Sequence, residues 1–124
     1  MLGNQKIVSF VPIRDAARAR AFYRDILGLR LLAEDNFALL FEVEGVHLRA
    51  TLVGKFQPQP FTVLGWSVAD AAETARKLNS AGISCERFPP LDQDELGLWR
   101  APGGAHIAWF KDPDGNILSI SQLP

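Results

Sequence analysis

The chain is written twice. Residues 13–28 read IRDAARARAFYRDILG and residues 68–82 read VADAAETARKLNSAG. Asp15-Ala16-Ala17 aligns with Asp70-Ala71-Ala72, and each segment runs on to a glycine, Gly28 or Gly82, with the spacing differing by one residue. Each copy follows a β-like run, 7–13 in the first and 62–68 in the second. A unit of about 60 residues buries too little surface to be secure alone. Two such units sharing one core is therefore the economical reading of the 124 residues.

The repeated unit has a clear physical logic. Asp15 and Asp70 can each cap a helix, because a carboxylate accepts the unpaired N–H groups of the first turn and favours the positive end of the helix dipole. In the first helix Ala19, Phe22, Tyr23, Ile26 and Leu27 recur at helical spacing and give one apolar face. The second is weaker, with Ala71, Ala75, Leu78 and Ala81. Gly28 and Gly82 can adopt the left-handed conformation that ends a helix.

Short strands follow each helix. The first copy predicts strands over 29–34, 37–43 and 46–53; the second predicts 83–88, 96–101, 105–111 and 116–122. Pro102-Gly103-Gly104 and Asp112-Pro113-Asp114-Gly115 are strong turn signals. Pro58 and Pro60 mark the junction, and 89–95 is a longer polar loop. The expected architecture is α+β: a single domain over 1–124 made of two modules, about 5–55 and 61–123, with two antiparallel sheet halves and one helix on each.

Composition narrows the function. Thirteen basic and fourteen acidic residues give a net charge of -1, with no basic stripe, so a nucleic-acid partner is not expected. Cys85 is the only cysteine, which excludes an internal disulfide and a cysteine-rich zinc site. No apolar run approaches the ~18 residues of a membrane helix, and 1–6 carries no signal core. The expectation is a cytoplasmic domain without a membrane partner.

Two motifs go further. Val11-Pro12-Ile13-Arg14-Asp15 leads into a helix ending Phe22-Tyr23-Arg24-Asp25-Ile26-Leu27-Gly28-Leu29, and the chain closes with Ala108-Trp109-Phe110-Lys111-Asp112-Pro113-Asp114-Gly115-Asn116. Together, across nearly the whole chain, they resemble the opening and closing motifs of the glyoxalase/bleomycin resistance/dioxygenase group, the vicinal oxygen chelate superfamily. The resemblance implies paired βαβββ modules, in a curved antiparallel or mixed sheet, around a ligand cleft. It also implies a homodimer. Enzymes of that group commonly hold a divalent metal through His, Glu or Gln on four strands.

Carried over position by position, those ligands fall at Val8, Arg49, Val63 and Ser119. Three are not plausible donors and Ser119 is a very poor one. The only histidines are His47 and His106, and His47 would share the strand face of Arg49, whose cation opposes a metal. No metal and no cofactor are therefore expected. Strand alternation assigns Val8 and Phe10, then His47, Arg49 and Thr51, then Val63, Gly65 and Ser67, and finally Ser119 and Ser121, to the cleft side. Such a surface suits a small ligand with an apolar body and an anionic end.

Phe10, His47, Arg49, Trp99 and Ser119 are the candidate ligand-binding residues. Arg49 can take a carboxylate bidentately, and Trp99 is a rim aromatic. Trp66 is assigned to the core, with its side chain toward the helix. Glu42, Glu95 and His106 are available bases, but no nucleophile, base and orienting group stand at a readable spacing, so no catalytic residue is assigned. Cys85 reads as a buried small apolar residue. The leading reading is a metal-free binder of a small organic molecule. The alternative is a metal-dependent lyase, isomerase or dioxygenase with an atypical site at His47.

Overall fold

The computed structural model describes residues 1–124. They form two compact units, residues 1–57 and 58–124. No helix is long and apolar enough to cross a membrane.

The first unit runs β1 (Val8–Ile13), α1 (Ala16–Arg20), a π-helical turn (Ala21–Ile26), β2 (Arg30–Glu34), β3 (Ala38–Val43) and β4 (Val46–Leu52). Asp15 begins the helix as its residue type predicts, its Oδ1 accepting the Arg18 N–H at 3.0 Å. Farther along, the Leu27 N–H donates to the Phe22 carbonyl five residues back. The first copy of the repeat is one residue longer between its aspartate and its glycine, and this wide turn takes up the extra residue. The helix ends at Gly28, where φ is +79°, and the second copy ends likewise at Gly82, φ +88°.

The sheet order is β1-β4-β3-β2. Val11, Ile13, Leu39, Phe41, Leu48 and Ala50 are buried on one face. Ala19, Phe22 and Tyr23 of the helical segment are buried too, and the Tyr23 ring lies 5.9 Å from that of Phe41. Burying a side chain the size of Phe41 contributes on the order of 2–3 kcal/mol. This face is the unit's own core.

The second unit runs β5 (Thr62–Ser67), α2 (Ala71–Ser80), β6 (Trp99–Arg100), β7 (His106–Lys111) and β8 (Ile117–Gln122), ordered β5-β8-β7-β6. Asp70 caps α2 by accepting the Glu73 N–H at 3.0 Å. Ala71, Ala75 and Leu78 are buried, as are Ala108, Phe110, Leu118 and Ile120 of β7 and β8, the strands α2 touches. Trp66 stacks on Phe110 with ring centroids 6.3 Å apart, on the helix side where its parity places it.

The turn between β7 and β8 gives Asp112-Pro113-Asp114-Gly115-Asn116 a structural meaning. Asp112 Oδ1 accepts the N–H groups of Asp114 and Asn116, both at 2.9 Å, and its Oδ2 accepts the Asn116 side-chain amide at 2.8 Å. Asp112 and Asn116 are both buried. The closing motif is thus a self-bonded turn that sets the register of the two strands it joins.

Of the two expected sheet types, antiparallel or mixed, both sheets are mixed, because β1 runs parallel to β4 and β5 parallel to β8; two of the expected strands need correction. A strand followed by a crossing helix returns to its sheet by a long connection, which permits parallel pairing. Residues 83–88 do not form a strand. The Glu86 N–H reaches the Trp109 carbonyl of β7 at 2.7 Å, but the ladder goes no further: the Gln93 side chain takes the flanking groups, its Oε1 accepting from Phe88 N–H and its Nε2 donating to Glu86 O. The strand expected over 96–101 is only Trp99–Arg100. Asp94 Oδ1 accepts both the Leu96 and Leu98 N–H groups and coils the chain just before it.

Candidate functional site

Each sheet buries one face under its helix and leaves the other without one. In the first unit the ladder places Phe10 opposite Arg49, and Arg49 opposite Leu40. One step away Val8, His47 and Glu42 stand in a row, and on the other side Pro12, Thr51 and Ala38. Directly opposed residues share a face, so Phe10, His47 and Arg49 come together as their alternation predicts. Phe10 is 61% exposed and Val8 43%. Such exposure, at the first and third residues of β1, marks an open apolar surface.

Arg49 is half-buried and makes no hydrogen bond or ion pair; the chain's ion pairs lie elsewhere. Its charge reaches Asp35, but only as the smallest influence there. The N–H groups of Phe37 and Ala38 hold the Asp35 carboxyl below its ordinary value first, and Arg49 adds to them. Thr51, on the same face, has its hydroxyl buried without a hydrogen-bond partner. Glu42 turns one oxygen to the Gly45 N–H at 2.9 Å.

In the second unit Ser119 lies between Gly65 and Trp109 across the ladder, and Ser121 between Ser67 and Ile107. Trp99 pairs with Ile107, so it shares the face of Trp109 and Ser119. The Trp99 and Trp109 rings are 6.1 Å apart and inclined by 31°. Phe88 stands edge-on to Trp109 at 5.3 Å and 87°. The result is an aromatic wall beside a low floor. At Gly65 an added Cβ would come within 2.5 Å of Ser119 Oγ, so the serine hydroxyl would have to turn aside.

Trp109 and Phe88 were absent from the expected set. Trp109 has the same parity as Ser119 across the turn and could have been found by alternation. Phe88 reaches the wall from an irregular segment that strand alternation does not describe.

The other candidates lie elsewhere. His106 pairs with Arg100 on the opposite face of β7 and lines a hollow with Asp92, Asp94 and Leu98. Glu95 lines a separate hollow with Cys85 and Arg87. Burial pushes the Cys85 thiol up, away from the thiolate that a nucleophile requires.

The sequence pattern of the Glyoxalase/Bleomycin resistance protein/Dioxygenase superfamily matches residues 6–120. The chain belongs to that superfamily. A curated relative, the uncharacterized protein YraH of Bacillus subtilis (strain 168), is 28% identical over 126 residues, covering 90% of this chain and 92% of YraH. Two solved structures have the same fold. Lactoylglutathione lyase from Agrobacterium tumefaciens has a TM-score of 0.76 at 18% identity, covering 96% of this chain and 93% of that one. TnmS3, an antibiotic binding protein from Streptomyces sp. CB03234, has a TM-score of 0.74 at 24% identity, covering 100% and 99%.

The superfamily's metal can be tested against the residues present. The positions to which the resemblance carries the family's ligands, Val8, Val63, Ser119 and Arg49, supply two valines, one hydroxyl and one guanidinium. No three His, Cys, Asp or Glu side chains converge anywhere in the chain. Near Arg49 the available donors are His47 and Glu42, a facing pair. A divalent ion needs several imidazole or carboxylate donors and no adjacent fixed cation. This set does not fit one.

Proposed function

We propose that this superfamily member binds small organic molecules without a metal ion, with Phe10, His47 and Arg49 on the open sheet face of the first unit and Trp99 and Ser119 on that of the second as candidate ligand contacts, each face taken by itself. The observation that carries the reading is the wall of Trp99, Trp109 and Phe88 beside the low Gly65–Ser119 floor, on a sheet face that no helix of its unit covers. Stacked rings supply apolar area and a preferred geometry for a flat ligand, and the floor leaves room for it. The antibiotic-binding description of TnmS3 is consistent with such a role. The protein is further proposed to act as a cytoplasmic homodimer, with neither nucleic acid nor membrane as partner.

Tryptophan fluorescence tests the reading directly. Planar aromatic compounds of increasing size, titrated in the presence of a chelator, should quench the emission saturably. Trp99→Ala should weaken that binding on the order of tenfold, the loss of one stacking contact of about 1.5 kcal/mol. Absence of saturable quenching across the series would reject it.

A second reading, a metal-dependent lyase, isomerase or dioxygenase, has one observation in its favour. His47 and Glu42 face each other across the ladder and could supply two donors. Tight stoichiometric binding of nickel, zinc, manganese or iron(II), lost on His47→Ala, would establish that reading and displace the first.

A further inference from the structure

Arg49 is half-buried on the open face of the first unit's sheet. A cation drawn partly out of water normally finds a carboxylate, a carbonyl or an aromatic face. Arg49 has none of these. It makes no hydrogen bond and no ion pair, and the chain's cation–π contact belongs to Arg14 over Phe56, not to Arg49 over Phe10. Asp35, whose carboxyl the Arg49 charge reaches, and Glu42, which faces His47 on β3, have other commitments. Asp35 holds the N–H groups of Phe37 and Ala38, and Glu42 holds that of Gly45.

The surroundings of Arg49 are apolar on both sides. Phe10 stands directly opposite on β1 and Leu40 directly opposite on β3. A central guanidinium with an aromatic ring on one flank and an aliphatic side chain on the other is complementary to an anionic head joined to an apolar body. The same guanidinium occupies one of the positions where the superfamily's metal donors would fall, and the donor set there fails the test for a divalent ion. The positive charge is present nonetheless, supplied by the chain itself.

We propose that Arg49 is the built-in cation of the first unit's open sheet face: it takes the carboxylate of a small apolar organic acid bidentately, between Phe10 and Leu40, in place of a metal ion. The proposal rests on the small-molecule reading above and adds the class of ligand. A guanidinium matches the two oxygens of a carboxylate in geometry as well as charge. It also rejects organic cations. The neutral amide of the same acid would keep the apolar contacts and lose one charge-assisted pair.

The experiment compares matched probes: phenylacetate, phenylacetamide and phenethylamine, then the 1-naphthyl analogues of all three. Each is titrated into the full chain by calorimetry, with the backbone amide resonances of residues 8–12 and 47–51 followed by NMR. Each acid should bind at least about tenfold more tightly than its amide, as expected for a charge-assisted hydrogen-bonded pair of ~1.5–3 kcal/mol. The amine should bind more weakly still. Arg49→Met should bring acid and amide together, and Arg49→Lys should keep only part of the preference, because an ammonium cannot form the two-pronged pair. Thermal unfolding of both variants separates loss of binding from loss of fold.

Equal affinity for acid and amide in the wild type would overturn the proposal and leave the small-molecule reading standing. Acid preference undiminished in both Arg49 variants would also overturn it, by placing the anion elsewhere. Stoichiometric nickel binding that shifts the His47 resonance would overturn this proposal and the metal-free reading together.

Discussion

Replacing Asp112 by alanine should destabilise the protein by about 3 kcal/mol. The Asp112 carboxylate accepts two main-chain N–H groups and one side-chain amide in a buried turn. Truncation leaves three donors without this acceptor, and each buried unsatisfied donor costs about 1–3 kcal/mol. The low end applies because truncation leaves room for a water molecule to take the place of the carboxylate. Unfolding entropy of about 2.1 cal/mol/K per residue over this chain converts 3 kcal/mol into a fall in Tm on the order of 10 °C. Scanning calorimetry measures it. Asp112→Asn should lose less, since its remaining oxygen still accepts both N–H groups, while its new amide meets the Asn116 amide donor to donor. The double variant Asp112→Asn with Asn116→Asp should recover part of that loss, because it restores a donor facing an acceptor. A loss below about 1 kcal/mol for Asp112→Ala would refute the reasoning. It would mean that the ladder between β7 and β8, rather than the turn, sets the register of Trp109 against Ser119.

Other perturbations are simpler. Gly97→Ala should destabilise by about 3 kcal/mol in urea titration, from left-handed strain together with a steric clash; φ there is +94° and the new Cβ would lie 2.5 Å from Cys85 Cβ. Thr51→Val should raise stability by about 1 kcal/mol, because it removes a buried hydroxyl without a partner; a lower Tm would show that the hydroxyl is bonded after all. Acid should also act selectively. Asp15 and Asp35 are both held below the ordinary value of 3.8, chiefly by backbone N–H groups. Their stabilisation is therefore complete above that value and lost as pH falls through the lowered ones. Asp35→Asn should flatten the decline of the urea midpoint below pH 3.8 and leave its slope near pH 7 unchanged.

What could be read directly from the residues was whatever depends on near neighbours. The cap aspartates, the helix-ending glycines and the facing of His47, Arg49 and Trp66 follow from period and residue type, and the structure places each accordingly. What escaped depends on partners distant in sequence or on side chains that replace main chain. Residues 83–88 look like a strand, but only Glu86 N–H bonds to a neighbouring strand, at Trp109 O, and the Gln93 amide takes the Glu86 carbonyl and the Phe88 N–H. Phe88 joins the aromatic wall from that same segment, so no periodicity reveals it. Parallel pairing of β1 with β4 depends on the path of the chain, which alternation along either strand does not encode. That Arg49 stands without a counter-ion was likewise invisible until the surrounding carboxylates could be placed.

The wide turn at Ala21–Ile26 bears on how such a chain tolerates length change. One residue more in the first copy than in the second would, in a regular helix, rotate everything beyond it by about 100°, one residue's share of a 3.6-residue turn. The π-helical turn confines that rotation, so Gly28 still ends the helix and the following strands keep their inward and outward sides. The helix behaves as an expansion joint: an insertion or deletion within it stays local. Aligning the two halves of the chain, or aligning this chain with its relatives, should therefore place the gap inside 21–26, not in the loops where gaps are conventionally put.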